Sequence, residues 1–153
     1  MPLRRSGFTI LEILLVALVF GIAASVAAFL LNRNRASQRD AQRISDVAVL
    51  RSGLTQFWLQ NANFPQTDPV DLGRPGANVD KLTGNGFVAA STNATPVYLL
   101  QVPVGPNANE FYRYHGSSQG YSIRFTTERP TVYGVAGTWY AHSDGVDQDD
   151  SQK

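Results

Sequence analysis

Residues 4–31 read RRSGFTILEILLVALVFGIAASVAAFLL. Within residues 8–31 only Thr9, Glu12, Gly21 and Ser25 interrupt the apolar run. As a helix, 24 residues reach about 36 Å, enough for a hydrocarbon core of roughly 30 Å. A buried core helix has no need of so long and continuous a stretch. A cleavable secretory signal would carry an apolar region of about 7–15 residues and a small-residue cleavage site. This run is longer and holds a carboxylate near its start. Bases flank it on both sides, but Arg4 and Arg5 lie closest to the N-terminus. They favour a cytoplasmic start and an exported C-terminal domain.

The rest of the chain has a different character. The 153 residues carry a formal net charge of +1 and no cysteine. The composition suits one globular domain, and the missing cysteine excludes a disulfide framework, an iron–sulfur site and thiol chemistry. A nucleic-acid binder would want a basic excess, so no nucleic-acid partner is expected. The near-neutral sum hides an uneven distribution. Residues 32–52 hold Arg33, Arg35, Arg39, Arg43 and Arg51 against Asp40 and Asp46, whereas residues 53–153 hold six bases and nine acids.

Glu12 is the residue that needs an explanation. A carboxylate inside an apolar helix costs about 2.5–3.5 kcal/mol on insertion scales, less near the interface, and usually has a partner. Snorkelling to the headgroups is the simplest account of an isolated case. Here the setting is Arg4-Arg5-Ser6-Gly7, then Phe8-Thr9-Ile10-Leu11-Glu12, then an unbroken apolar helix. This arrangement closely resembles the processing signature of type IV prepilins and type II secretion pseudopilins: a short basic leader ending in Gly, then Phe, with Glu fifth in the mature chain.

The resemblance implies cleavage between Gly7 and Phe8 by a prepilin peptidase and N-methylation of Phe8. It also implies assembly in which Glu12 meets the new α-amino group of a neighbouring subunit. The physics is compatible with it: Gly7 lets a protease approach the backbone, and an amine in a lipid-like bundle would pair with a carboxylate at low dielectric. That pair would enforce register more than it would add stability. Gly21 occupies a position the family often keeps, linked to helix flexibility. Where many members have proline the chain has Phe29, which puts helix melting there in doubt.

Residues 32–61 continue as helix. Ile44, Val47, Ala48, Leu50, Leu54, Phe57 and Trp58 recur at spacings of three and four, and so predict a core-facing stripe. The arginines lie off it, expected as filament-internal or headgroup contacts. With residues 8–31 this makes one helix of roughly 80 Å, ended by Asn61-Ala62-Asn63-Phe64-Pro65, since proline cannot continue it.

Residues 62–96 read as a long structured loop with one short element near Gly86-Phe87-Val88. Strands are expected over residues 97–102, 111–115, 121–127, 131–136 and 138–142, as a three- to five-strand antiparallel meander. The fold class is therefore α+β: the pilin fold, by resemblance, with a long helix packed on a small meander. Four segments follow: a leader (1–7), a membrane-spanning and filament-core helix (8–31), its amphipathic continuation (32–61) and an exported domain (62–153).

Catalytic patterns are missing, and the adjacency of His142, Ser143 and Asp144 is not triad geometry. An enzyme is not expected. In the acidic end, Asp144, Asp147 and Asp149 could offer oxygens to calcium, as some major pseudopilins do near a C-terminal Asp-Gly; a solvated acidic tail is the commoner explanation. Asn93-Ala94-Thr95 is a glycosylation sequon by pattern only.

Three functions are compatible with these features. The first is a type IV pilus subunit, a self-assembling helical homopolymer held first in the cytoplasmic membrane and then in an extracellular filament. The second is a major-type pseudopilin of a type II secretion system, in a periplasmic pseudopilus. It draws on the absent cysteine pair and on Asp144-Gly145, although Val102-Pro103-Val104-Gly105-Pro106 lacks that group's acidic residue. A membrane-anchored binding domain that never polymerises is the third. The first two imply the prepilin peptidase and an assembly platform as partners.

Overall fold

The computed structural model describes residues 9–153. Helix α1 runs over Ile10–Asn61. It begins on a cap: the Thr9 side-chain oxygen accepts the backbone N–H of Glu12 at 3.3 Å, satisfying a donor that has no partner inside the helix. It ends where Ala62 turns into the left-handed region at φ 54°, its N–H still bonded to the carbonyl of Trp58 at 2.8 Å. Asn61 Nδ2 donates to the carbonyl of Phe57 at 2.9 Å, filling a second helix-end acceptor.

The chain divides into two compact units, residues 1–36 and 37–153. The described part of the first is the apolar length of α1, in which every residue from 10 to 35 is exposed. The second contains the remainder of α1 and eight strands. β1 (Thr67–Asp71), β5 (Arg113–Gly116), β6 (Tyr121–Thr127), β7 (Gly137–Ala141) and β8 (Val146–Asp147) form one antiparallel sheet in the order β1-β5-β6-β7-β8. β2 (Lys81–Thr83), β3 (Gly86–Val88) and β4 (Val97–Leu99) form a second, ordered β3-β2-β4.

One core joins helix and sheets. Val47, Leu50, Leu54 and Phe57 pack with Leu72, Leu82, Tyr112, Tyr114, Tyr121, Ile123, Phe125, Trp139 and Ala141. Strand β6 alternates as expected of a sheet with one covered face: Tyr121, Ile123 and Phe125 point to the core, and Arg124 and Thr126 to solvent. Two glycines allow close approach. A Cβ on Gly53 would overlap the Leu99 side chain of β4. One on Gly116 would meet the Pro65 carbonyl and the Tyr114 hydroxyl, which bond to each other at 2.8 Å.

The architecture is the α+β arrangement the sequence predicts, with local differences. Residues 62–96 are richer than a loop: β1, β2 and β3 all lie there. β1 includes Pro69 and carries a register irregularity, which an edge strand tolerates. Residues 131–136 are a turn, not a strand; Thr131 and Gly134 exchange backbone hydrogen bonds (2.8 and 3.2 Å). On the helix, Trp58 is 46% exposed and Ala48 is also outside the core. The buried positions are Asp40, Arg43, Val47, Leu50, Gly53, Leu54 and Phe57.

Candidate assembly and membrane-anchoring site

The apolar length of α1 is exposed along its whole course: Ile10 is 79% and Phe20 71% accessible, with Leu11, Leu14, Leu18 and Phe29 similar. α1 is long and apolar enough to cross a membrane, and its most apolar window is wholly unburied. A surface of this kind cannot face water; lipid or other apolar helices must cover it.

Gly7 and Phe8, the processing and assembly residues expected from sequence, lie outside the described residues. Glu12 is described, in the first turn of α1. Thr9-Ile10-Leu11-Glu12 has the Thr-x-x-Glu spacing of a capping box, and its Thr9-to-Glu12 half is formed. Sequence reasoning missed this signal, although the spacing is plain. It gives Glu12 a second role, since a carboxylate in the first helical turn is favoured by the helix dipole even without a neighbour. Further along, the Ser25 hydroxyl donates to the Gly21 carbonyl at 2.8 Å. The helix passes through Gly21 without interruption, with open space where a Cβ would stand.

A charge cluster, also unforeseen, fastens the second unit's part of α1 to its loops. Arg43 is 2% exposed. Its Nε and Nη2 donate to the two carboxylate oxygens of Glu110, at 2.5 and 3.0 Å. Its Nη1 pairs with Asp40 at 2.7 Å and with Glu128 at 2.9 Å. Arg39 forms a bidentate pair with Glu128. The Asp40 carboxylate accepts the backbone N–H groups of Glu128 and Arg129, each at 2.9 Å. Arg43 is therefore an internal clamp and not the headgroup or filament contact that its charge suggests. Burial of a guanidinium is tolerated because three carboxylates surround it.

The ionisation of these groups follows the contacts. Hydrogen bonds from Arg39 and then Arg43 hold the Glu128 carboxyl down to about 2. Glu110 is lowered by its bonds to Arg43. Asp46 moves upward, because its partial burial outweighs the hydrogen bond it accepts from the Tyr112 hydroxyl at 2.8 Å.

At the acidic end, Asp147 and Asp149 converge on the Lys153 ammonium, each at 2.8 Å. That contact lowers both carboxyls. Asp144 is not brought to this pair, and among the described residues no three acidic or histidine side chains form a metal cluster. The segment is neither a free tail nor an open cage: Ser122 donates to Asp150 at 3.1 Å and the Gln152 amide to His115 at 2.6 Å. His142, fully buried, places its Nδ1 3.0 Å from the Tyr121 carbonyl and its Nε2 3.0 Å from that of Asp149.

Comparison with characterised proteins finds relatives over part of the chain. The chain is 34% identical over 65 residues to Type II secretion system core protein G of Aeromonas hydrophila, covering 42% of this chain and 46% of the relative. It is 34% identical over 68 residues to the protein of that name in Dickeya chrysanthemi, covering 44% of each. For Vibrio cholerae the figures are 36% over 67 residues, 42% of this chain and 44% of the relative. The matched stretch thus spans less than half the length of each of these relatives. No family model matches the chain, and no solved structure does. Leader motif, exposed apolar helix, helix-on-sheet fold and these relatives point the same way: over less than half of its length the chain is similar to type II secretion pseudopilins.

Proposed function

We propose that the chain is a pseudopilin, the structural subunit of a filament assembled by a type II secretion system. The observation that carries this reading over a pilus subunit is the shared name of its relatives, Type II secretion system core protein G. Its role is structural, not catalytic. The leader is removed between Gly7 and Phe8 by a prepilin peptidase, and the apolar length of α1 holds the precursor in the cytoplasmic membrane. In the assembled state the same surface packs against other copies in a periplasmic pseudopilus built on a secretion platform, with Glu12 facing a neighbour's α-amino group. Exposure of the whole apolar length supports a segment that exchanges lipid for protein.

A type IV pilus subunit is the second reading, favoured by the departure at residues 102–106 from the acidic pattern of major pseudopilins. Mass spectrometry of the mature N-terminus tests what the two share. The expected product starts at methylated Phe8, and any other start overturns both. Glu12→Ala separates assembly from mere anchoring. Polymer should be lost while the protein stays membrane-bound; polymer at the wild-type level would leave an anchored domain as the better account. Deleting the secretion genes of the same cell then distinguishes pseudopilus from pilus, since only a pseudopilus subunit would lose its polymer.

A further inference from the structure

The solvent face of the five-stranded sheet carries a row of aligned residues. Asp71 of β1 is paired in register with Arg113 of β5, Arg113 with Arg124 of β6, and Arg124 with Tyr140 of β7. Two arginines therefore stand directly opposite each other on one face, an arrangement that destabilises a strand pair unless the charge is answered. The answer within the chain is incomplete. Arg113 lies 3.8 Å from Asp71, which also serves Arg74 at 3.2 Å. Arg124 is exposed and has no ion pair among the described residues. Around the two guanidiniums is a cleft of about 180 Å³, closed by Pro69, His115, Ser122 and Asp150.

The fork of an arginine suits a carboxylate. Asp150 in the cleft's lining, and Asp71 beside Arg113 at its rim, favour a singly charged group over a phosphate dianion. An exposed carboxylate of this chain is suited to answer it. Asp144 is exposed at the β7–β8 turn and has no ion pair among the described residues. Its neighbour Ser143 accepts a hydrogen bond from Arg51 of α1 at 3.4 Å, so the turn is on the helix side of the sheet, the face opposite the arginines. A positive cleft on one face and a free carboxylate on the other cannot meet within one molecule. Between copies they make a head-to-tail contact, the type that propagates into helical polymers.

We propose that the Arg113–Arg124 cleft receives Asp144 of a second copy of this chain, as a lateral contact between the folded domains of adjacent subunits. This rests on the polymerising role above and adds a contact outside the apolar helix. The test is a charge swap in the full chain, expressed with its own assembly machinery, with sheared filaments quantified by immunoblot and electron microscopy. Arg124→Glu and Asp144→Arg should each lower filament yield by about tenfold or more. The double variant R124E/D144R should return to within about threefold of wild type, the signature of direct coupling. Thermal melts of each detergent-solubilised variant identify misfolding; if R124E misfolds, Arg124→Gln takes its place. Wild-type yield from R124E, or a double variant no better than either single although all fold, overturns the proposal. Glu12→Ala is run beside them: if it abolishes filaments while R124E does not, the lateral contact fails alone. If E12A assembles normally, it is the assembly role that falls.

Discussion

Arg43 shows how a single residue couples distant parts of the chain. Its guanidinium joins Asp40 on its own helix to Glu110 and Glu128, the latter two separated from it by most of the folded domain's sequence. Replacing Arg43 by alanine leaves Asp40 and Glu110 facing each other without a counter-charge. Removing one partner of a buried pair costs about 3–5 kcal/mol; the exposure of Glu128 puts the expectation near 3 kcal/mol, read by urea denaturation of wild type and variant. The pH dependence has a definite sign. Glu128 is ordinary at 4.5 when unfolded and lies at about 2 in the fold, and Glu110 is lowered in the same sense. Their contribution is therefore complete above pH 4.5 and is lost as pH falls toward 2. Asp46, raised by burial, works against this trend and offsets a part of it. Melting curves between pH 6 and 2.5 should fall more steeply for wild type than for the double variant E110Q/E128Q. Equal slopes would mean that these carboxylates do not carry the acid sensitivity.

Among the elements, the folded half of α1 lets burial be weighed against hydrophobicity. Leu50 is fully buried, whereas Trp58 is 46% exposed although larger. Leu50→Ala should cost about 2–5 kcal/mol, as truncation of a packed core residue does. Trp58→Ala should change stability by less than about 0.5 kcal/mol, and chemical denaturation of the two variants checks the contrast. This contrast also marks what periodicity can reveal. Val47, Leu50, Leu54 and Phe57 were readable because apolar spacing of three and four has one meaning on a helix. Arg43 and Asp40 continue the same buried line, but their charge argued for solvent, and nothing local announces Glu110 or Glu128 as partners. β1 was hidden by Asp68 and Pro69, which read as turn residues and are tolerated because the strand lies at an edge. The reverse holds at residues 131–136, where Thr, Val and Tyr read as strand while Pro130 and Gly134, at φ 137°, build a turn. The Thr9–Glu12 cap is legible in the Thr-x-x-Glu spacing, although the apolar run around Glu12 masks it.

At the scale of the whole molecule, the division after residue 36 separates two ways of being stable. Residues 10–35 have no core of their own and depend on what covers them, while residues 37–153 close a core between helix and sheets. The boundary is sharp because Arg39, Asp40 and Arg43 stand just inside it and tie the helix to the segments holding Glu110 and Glu128. A chain beginning at Ser37 keeps every one of these contacts. It should be soluble without detergent and unfold in a single cooperative transition. Beginning instead at Ile44 removes only seven more residues and no part of the apolar core, yet it strips the backbone N–H groups of Glu128 and Arg129 of their acceptor and leaves Glu110 without its guanidinium. The loss of that cluster, of order 3 kcal/mol, corresponds to a melting temperature lower by more than about 10 °C for a domain of this size. Differential scanning calorimetry of the two truncations measures it directly. Equal melting temperatures would mean that the apolar stripe alone secures the helix to the sheets, and that the buried charges only set its register.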